Sequence, residues 1–555
     1  MNRDALRRRV LPHLSLLYGE RAAAVAEQLV ALVERHAPRL GAERHLPSER
    51  TAYLITYGDA LRRPGEQPLH TLASVLHDQV GDIVSDVHLL PMFPWTSDDG
   101  FAVVDHREVN PELGSWADVA DLARDHDLLF DFVANHVSAS SPWFRRWLAR
   151  DDAFAGYFIP QDPAFDASRV VRPRVSPLHH RYERPDGRSV AVWTTFGPDQ
   201  VDVDVRTPAV LLELTDVLLG YLERGASGVR LDAIGFLWKE SGTTCIHLPQ
   251  THAVVKLWRT VVDHVAPGTQ LLTETNVPHA ENVSYFGDGS DEAHMVYQFA
   301  LPPLVLHTFV SGSTARLSGW ARGIGPVSRD ATWFNFLASH DGIGLRATEG
   351  ILDDGERRAL VERTLALGGK VSMALTAPGR ETVYELNVGY LDALASPEEH
   401  ADPTVLVRKA LAAHSILLSV VGVPAVYYHS LFGSGSDAQG MAASGINRRI
   451  NRAVLDADEL VSSLRDDPRR RGTFEGLAHM LRVRATQPAL SPYATQELLD
   501  LDDRVFAVRR SGSLLCLTNV TGSTVPLPGL SGVDVLTGRP MTTVELGPWE
   551  HVWLH

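Results

Sequence analysis

The sequence predicts an α/β fold, a (β/α)₈ TIM barrel, and two observations along the chain favour it. From about residue 51, short apolar runs without polar alternation are separated by amphipathic helical segments. Such runs are typical of parallel strands that are covered on both faces. Polar and acidic side chains follow several of the runs, at the strand ends where a barrel of this kind carries its chemistry. The runs cover residues 53–57, 86–90, 128–133, 228–232, 270–274, 333–337 and 423–428.

Two smaller segments flank the predicted barrel. Residues 1–50 are expected to form a helical extension, because between Ala22 and Val33 good helix formers carry apolar residues at three- and four-residue spacing. We interpret this extension as a packing appendage without chemistry of its own. Residues 481–555 change to alternating strands, as in 505–510, which predicts a C-terminal antiparallel β domain.

The barrel itself is assigned to residues 51–480 and carries two long insertions. The first, at about 137–207, is rich in Pro, Arg and aromatic residues and follows the third apolar run. The second, at about 342–405, follows the Ser-His-Asp-Gly turn that ends at Gly342. Insertions of this length at the catalytic face of a barrel usually shape the substrate site.

The composition argues against several classes of protein. With 52 Lys and Arg against 68 Asp and Glu, the formal charge is −16, which argues against nucleic acid or an anionic membrane as the main partner. No apolar stretch reaches the ~18 residues of a transmembrane helix, and the first residues lack the apolar core of a signal peptide. The chain has 2 cysteines and no CxxC or HExxH spacing, so neither a metal nor a cofactor is expected. These features predict a cytoplasmic enzyme, and a homodimer is among the oligomeric states that the sequence leaves open.

Three carboxylates stand at the ends of predicted strands. Asp232 lies in Gly-Val-Arg-Leu-Asp-Ala, Glu274 in Leu-Thr-Glu-Thr-Asn and Asp341 in Ser-His-Asp-Gly, so they come from different strands that converge on one pocket. One such carboxylate alone is more often a helix cap or an ion-pair partner, but three together indicate catalysis. Retaining glycosyl transfer needs a carboxylate nucleophile and a carboxylic acid about 5 Å apart. Arg230, two residues before Asp232, points to the same face of the strand and would keep that nucleophile ionised.

Four motifs can be recognised along this part of the chain. In chain order they are residues 131–136, residues 228–233 with Asp232, the single residue Glu274, and residues 337–341 with Asp341. They resemble the successive motifs of the α-amylase clan, glycoside hydrolase family 13. Further stretches resemble one branch of that family, the sucrose-phosphorylase-like glucoside phosphorylases, and the similarity extends from about residue 51 to 455. Those stretches are 54–57, 88–91, 97–101, 172–174, 299–304 and 450–452.

The resemblance implies a role for each of these residues. Asp232 is expected to be the nucleophile, Glu274 the general acid/base and Asp341 the stabiliser of the transition state. Charged side chains and histidines can bind sugar hydroxyls, and aromatic rings can form apolar walls around a sugar. The residues that are implied to hold or surround the glucosyl unit are Asp98, Phe101, His136, Phe196, Gln200, Arg230, His340 and Arg448.

Phosphorolysis requires that phosphate, rather than water, attacks the glucosylated enzyme. A phosphate site needs guanidinium groups or free N–H groups beside the glucosyl carbon. Arg174, in the first insertion, resembles the residue that binds phosphate in the family, and Tyr384, in the second insertion, is its expected companion. The alternative interpretation makes Arg172 and Arg174 a basic pair on a surface loop.

The residues expected around the second product depart from the sucrose phosphorylase pattern. Thr382 stands two residues before Tyr384, where that pattern has an Asp that holds fructose, and Asn276 stands where it often has His. The N-terminal extension and the stretches 95–100 and 274–279 are more similar to glucosylglycerate phosphorylases. Loss of an anion at Thr382 favours an acceptor that carries a carboxylate, to which Asn276 can donate a hydrogen bond. The candidate cations for that carboxylate are Arg174, Lys239 and His279.

The predicted activity is that of a retaining glucoside phosphorylase, a hexosyltransferase. The favoured reaction converts 2-O-α-D-glucosylglycerate and inorganic phosphate into α-D-glucose 1-phosphate and D-glycerate by double displacement. Within the enzyme class the alternatives are sucrose, sucrose 6-phosphate and glucosylglycerol phosphorylase and α-glucosidase. Outside that class the alternative is a non-catalytic carbohydrate-binding relative, although the presence of all three carboxylates argues against it.

Overall fold

The computed structural model describes residues 3–40, 44, 46–376 and 380–555. Eight parallel strands close into a barrel in which each strand pairs with its neighbours in chain order and the eighth pairs with the first. The predicted (β/α)₈ barrel is therefore confirmed. Nearly all strand residues are buried, as the apolar runs indicated. The strands are β1 (Tyr53–Thr56), β2 (Asp86–Leu89), β3 (Asp127–Phe132), β4 (Ala226–Leu231), β5 (Gln270–Thr273), β6 (Met295–Tyr297), β7 (Thr332–Phe336) and β8 (Val423–Tyr427).

Strand β6 is the one barrel strand that the apolar runs did not reveal. It has only 3 residues, Met295–Tyr297, which is too short for a pattern of period two to stand out from its surroundings. Leu272 of β5 lies opposite Met295, and Tyr297 lies opposite Phe334 of β7. Its position explains why the spacing from Glu274 to Asp341 leaves room for two βα units.

Helices surround the barrel and connect its strands. Several begin with a proline in the first turn, where the missing N–H would have no intrahelical partner and the fixed φ angle suits the helix. The helices outside the two insertions are Pro68–Val75, Trp116–Leu122, Pro208–Glu223, Pro249–Val265, His279–Asn282, Leu301–Ser311, Ala315–Ala321, Pro403–Ser419, Tyr428–Leu431, Ala438–Ser444, Ala457–Asp466 and Pro468–Arg484.

The N-terminal segment contains two helices, α1 (Arg3–Tyr18) and α2 (Ala22–His36). Helix α1 packs on the barrel helix Pro249–Val265 and α2 packs on Pro208–Glu223. The α2 residue His36 contacts Glu223 at 2.5 Å. Since the two barrel helices lie on either side of β4 in the chain, the extension covers the helices next to the strand that leads to Asp232.

The first insertion contains two two-stranded sheets and the second contains one three-stranded sheet. In the first, His136–Ser138 pairs with Gln200–Asp202, and a hairpin joins His179–Glu183 to Ser189–Trp193. The first insertion also holds the helix Pro142–Leu148. In the second, the strands Ile343–Gly344, Arg380–Asn387 and Lys370–Thr376 form a three-stranded sheet beside the helix Asp354–Ala366.

The C-terminal region is an antiparallel β structure. Its larger sheet has 6 strands and a second pair lies beside it. The helix Pro468–Arg484 runs across the boundary expected between residues 480 and 481, so the β structure begins after that helix. None of the helices in the described ranges is long and apolar enough to cross a membrane. The strands are Gln496–Leu498, Val505–Arg510, Leu514–Asn519, Gly532–Asp534, Arg539–Met541 and His551–Leu554, with Val525–Leu527 and Val544–Leu546 as the pair.

Candidate active site

A cavity opens at the carboxyl end of the barrel. Asp232 and Glu274 line it directly after β4 and β5, and Asp341 lines it a few residues after β7. The structure therefore brings together three carboxylates from three separate strands. The other residues of the expected site that line the same cavity are Asp98, Phe101, His136, Arg174, Phe196, Gln200, Asn276, His340, Tyr384 and Arg448.

Arg230 lies beneath the nucleophile candidate and is not one of the residues that line the cavity. Its Nη1 atom donates to Asp131 Oδ1 at 2.6 Å and to Asp232 Oδ1 at 2.8 Å, and its Nη2 lies 3.9 Å from Glu274 Oε2. One buried guanidinium thus reaches both carboxyls that retaining chemistry needs. The partner carboxylate Asp131 is fully buried on β3 and was not among the expected site residues, although it lies in the first family-like motif.

The peptide after Asp232 has an unusual backbone conformation. Ala233 has φ 48° and ψ 28°, a left-handed conformation that costs energy for any residue with a side chain. Its N–H donates to Glu274 Oε2 at 3.0 Å. The turn that ends β4 therefore orients the carboxyl of Glu274. Asp232 and Glu274 are thus linked through the backbone of Ala233 as well as through Arg230.

Burial raises the pKa of both Asp232 and Glu274, and Arg230 opposes the rise in each case. Arg230 lies 2.8 Å from Asp232 but 3.9 Å from Glu274, so its charge favours ionisation of Asp232 more strongly. Two buried carboxyls that share one arginine do not both ionise readily. The arrangement suits an ionised Asp232 beside a protonated Glu274.

Asp341 has a different electrostatic environment. Burial opposes its ionisation, but Arg448 at 2.6 Å, together with Arg452, holds the pKa of Asp341 well below its ordinary value. Glu385 in turn accepts from Arg448 Nε at 3.0 Å and from Nη2 at 2.6 Å, and its side chain is 1% exposed. Asp341 is therefore a permanent anion, held in place by an arginine that a second carboxylate fixes.

Aromatic and histidine rings form one wall of the cavity. The rings of Phe101 and His340 stack at a centroid distance of 4.7 Å, and His136 Nε2 donates to the Phe101 carbonyl at 3.0 Å. Burial lowers the pKa of both histidines, so both are neutral. Gln200 donates to Asp98 Oδ2 at 3.4 Å. The two histidines and this polar pair form, with Asp232 and Asp341, what we call the carboxylate end of the cavity.

A second group of lining residues, which we call the arginine end, comprises Arg174, Asn276, Arg346 and Tyr384. The Arg174 guanidinium lies 5.4 Å from the centre of the Tyr384 ring and 5.7 Å from that of Phe196, within the range of cation–π contacts. Within the described ranges Arg174 has no carboxylate partner, and its one side-chain hydrogen bond goes to the Pro173 carbonyl. Asn276 donates to the Tyr384 hydroxyl at 3.3 Å. Arg174 is consequently available to an anion.

A β-bulge explains how Tyr384 comes to face the cavity while Glu385 reaches Arg448. Ser372 pairs with Glu385 and Met373 with Val383, so Tyr384 is an extra residue without a partner on the opposite strand. A bulge interrupts the alternation of side chains along a strand. Two consecutive side chains can therefore both contribute to the site.

Three residues expected at the second product do not line the cavity. Lys239 is buried against Asn135 and Asp202, which its Nζ contacts at 2.8 and 2.6 Å. His279 stacks on Trp333 at a centroid distance of 5.7 Å. Thr382 pairs with Ala374 in the second insertion. The first two therefore do not supply the cation expected at the cavity wall, and a role for Thr382 in acceptor choice stays a prediction.

The structure also adds residues that the sequence did not single out. Phe236, Ile246, Thr275, Val277 and Arg346 line the cavity. Phe236, Ile246 and Arg346 lie outside the motifs quoted from the sequence, whereas Thr275 and Val277 belong to the stretch 274–279. Only the folded loops show that these five side chains line the cavity. The described residues contain no cluster of three or more His, Cys, Asp or Glu side chains placed to hold a metal ion.

Comparison with known proteins identifies the family. Residues 82–322 match the model described as "Alpha amylase, catalytic domain". Over 554 residues the chain is 46% identical to a glucosylglycerate phosphorylase from Allomeiothermus silvanus, which covers 99% of this chain and 98% of that protein. The chain belongs to the α-amylase family, glycoside hydrolase family 13.

Other members of the family extend the comparison. A glucosylglycerate phosphorylase from Escherichia coli K12 is 40% identical, over 99% of this chain and 100% of that protein. A sucrose phosphorylase from Agrobacterium vitis is 30% identical over 80% of this chain and 89% of that protein. The crystal structure of a sucrose 6F-phosphate phosphorylase from Thermoanaerobacter thermosaccharolyticum superposes with a TM-score of 0.74 at 26% identity, over 91% of this chain and 98% of that one.

Proposed function

We propose that the chain is a retaining phosphorylase that converts 2-O-α-D-glucosylglycerate and phosphate into α-D-glucose 1-phosphate and D-glycerate. The observation that carries this proposal is one cavity that is lined both by the carboxylates Asp232, Glu274 and Asp341 and by Arg174, an arginine without a carboxylate partner in the described ranges. Both partners of the glucosyl group, phosphate and glycerate, are anions that guanidinium groups bind well. The identity of 40–46% to three glucosylglycerate phosphorylases over nearly the whole chain supports the same substrate.

The first displacement uses the protonated Glu274 and the ionised Asp232. Glu274 gives its proton to the glucosidic oxygen while an Asp232 oxygen attacks the anomeric carbon. The bond from that carbon to the glycerate oxygen breaks, glycerate leaves as the alcohol, and a β-glucosyl ester of Asp232 forms. Asp341 stabilises the positive charge that develops on the sugar ring, because its own negative charge persists at neutral pH.

The second displacement reverses these roles. A phosphate hydroxyl oxygen attacks the anomeric carbon, its proton passes to the ionised Glu274, and the ester bond breaks to release the Asp232 carboxylate. Two inversions give retained α configuration in glucose 1-phosphate. Arg174, next to Tyr384 and without a carboxylate partner in the described ranges, is placed to hold the phosphate.

The proposed function is tested with a panel of glucosides and acceptors. We expect glucose 1-phosphate from glucosylglycerate only when phosphate is present, and reverse synthesis that is faster with D-glycerate than with fructose, fructose 6-phosphate or glycerol. Release of free glucose at the same rate without phosphate would indicate an α-glucosidase. Preference for another acceptor would indicate the corresponding phosphorylase, and no turnover of any glucoside would indicate a binding protein. Cytoplasmic location and a homodimer stay predictions.

Replacing Arg174 by Gln is expected to lower phosphorolysis about 10- to 100-fold relative to hydrolysis, because a charge-assisted contact to phosphate is lost. The measurement is the ratio of glucose 1-phosphate to glucose formed from one glucoside over a range of phosphate concentrations. Arg172→Gln is the matched control. Arg172 forms an antiparallel β-bridge with Leu375 through its backbone and is not among the cavity-lining residues. Equal ratios in both variants and the wild type would remove Arg174 from the phosphate site.

A further inference from the structure

Arg346 is a cation at the cavity wall with no strong partner of its own. It lies in the short 3₁₀ turn Arg346–Thr348 of the second insertion, and its side chain is 23% exposed. Among the described residues its single ion pair joins Nε to Glu349 Oε1 at 3.9 Å, and the Glu349 side chain is half exposed. A contact of this length to an exposed carboxylate neutralises little of the charge.

The turn that carries Arg346 is fixed to the other residues of the arginine end. The Leu345 N–H donates to the Tyr384 carbonyl at 3.0 Å, at the β-bulge described above. Gly344 lies so close to the Asn276 amide that a side chain at this position would collide with it. The backbone of this turn therefore places Arg346 beside Tyr384 and Asn276.

The charges around the arginine end leave a place for a second anion. Four carboxylates line the cavity, and three of them, Asp98, Asp232 and Asp341, already have arginine partners. The fourth, Glu274, is the proton donor. Burial and the positive charge of Arg346 lower the pKa of the nearby His247 to about 4, so His247 is not a second cation near neutral pH.

We infer that Arg346 is the specificity residue that binds the carboxylate of the acceptor, while Arg174 serves phosphate. This inference rests on the proposed function and names the group within that site that recognises a 2-hydroxy acid. The planar guanidinium offers two parallel N–H donors that match a carboxylate, which a neutral polyol or fructose cannot use. Asn276, beside Arg346 and hydrogen-bonded to Tyr384, completes the recognition with its unpaired side-chain oxygen as acceptor for an acceptor hydroxyl.

The test compares two acceptors that differ by one charge. α-D-Glucosyl fluoride glucosylates the enzyme without phosphate, and transfer is then measured to D-glycerate and to D-glyceramide, in which a neutral amide replaces the carboxylate. We expect Arg346→Gln to lower the ratio of kcat/KM for glycerate to that for glyceramide by about 10- to 100-fold, mainly through the KM for glycerate. Arg346→Lys keeps the positive charge but not the two parallel N–H donors of the guanidinium, so the ratio of kcat/KM for glycerate to that for glyceramide should fall less than in Arg346→Gln.

Arg358→Gln is the control, because Arg358 is exposed on the helix Asp354–Ala366 of the same insertion and should keep the wild-type ratio. A wild-type ratio in Arg346→Gln, with the wild-type enzyme preferring glycerate, would overturn the role of Arg346 and leave the proposed function intact. If Arg346→Gln does not fold, as judged by its melting temperature, an unchanged ratio in Arg346→Met, which keeps the aliphatic part of the side chain but not the charge, has the same meaning. A wild-type enzyme that prefers fructose or glycerol would overturn the proposed function itself.

Discussion

Replacing Asp232 by Asn is expected to reduce turnover by about 10⁴-fold or more, because the change keeps the size of the side chain but removes the charge that attacks the anomeric carbon. Both half-reactions pass through the ester on Asp232, so phosphorolysis and reverse synthesis should fall together. The measurement is kcat for glucose 1-phosphate formation and for synthesis from glucose 1-phosphate. Arg230 and Asp131 remain paired in this variant, so the barrel should keep its melting temperature.

A matched control variant and a trapping experiment test whether Asp232 is the nucleophile. Asp86→Asn makes the same substitution at a buried aspartate, which lies at the amino end of β2, away from the cavity, and should retain activity. A slow 2-fluoro glucosyl donor should leave a glucosyl ester that mass spectrometry locates on Asp232. An ester on any other carboxylate would contradict the assignment of the nucleophile.

Replacing Glu274 by Gln should give losses that depend on the leaving group. Glycerate departs as an alcohol and needs the proton of Glu274, so glucosylglycerate should lose about 10²- to 10⁴-fold in turnover. Glucosyl fluoride releases fluoride with little help from an acid, so its first step should be much less affected. The measurement is the rate of enzyme glucosylation with each donor in a single-turnover experiment.

The pH dependence of the rate is a second test of Glu274 as the proton donor. Burial raises the pKa of Glu274, so the protonated form persists towards neutral pH, and the wild-type rate with glucosylglycerate should fall as the pH rises through that pKa. This alkaline limb should be absent from Glu274→Gln with glucosyl fluoride as donor. Glu281→Gln, a half-exposed glutamate in the helix after β5, is the control. Equal losses on both donors would mean that Glu274 does not act as the acid.

The parts of the fold and site that the sequence predicts are those with a local signal. Long apolar runs marked seven of the eight strands because such strands are buried on both faces. The carboxylates Asp232, Glu274 and Asp341 stood out because each follows such a run, where the geometry of a barrel brings strand ends together. Strand β6 was missed because three residues do not establish a period.

The remaining features depend on contacts between distant parts of the chain. Glu385 could not be assigned from the sequence, because strand alternation places it on the face opposite Tyr384 and only the bulge brings both to the site. Lys239 and His279, with Arg174, are the candidate cations that the insertions and nearby turns offer for the acceptor, but Lys239 pairs with Asp202 and His279 stacks on Trp333. Arg346 occupies the cavity wall instead, through a turn that is anchored to Tyr384.

The contact of Glu385 with Arg448 has a consequence for attempts to engineer this enzyme by loop exchange. The hairpin that carries Tyr384 also supplies Glu385, the carboxylate that fixes the arginine beside Asp341. A hairpin transplanted from a relative with a different acceptor would therefore alter the charge balance at the catalytic carboxylate as well as the acceptor site. Acceptor choice and catalytic rate therefore depend on the same hairpin. A replacement hairpin has to carry a carboxylate at the position of Glu385 so that Arg448 stays in place beside Asp341.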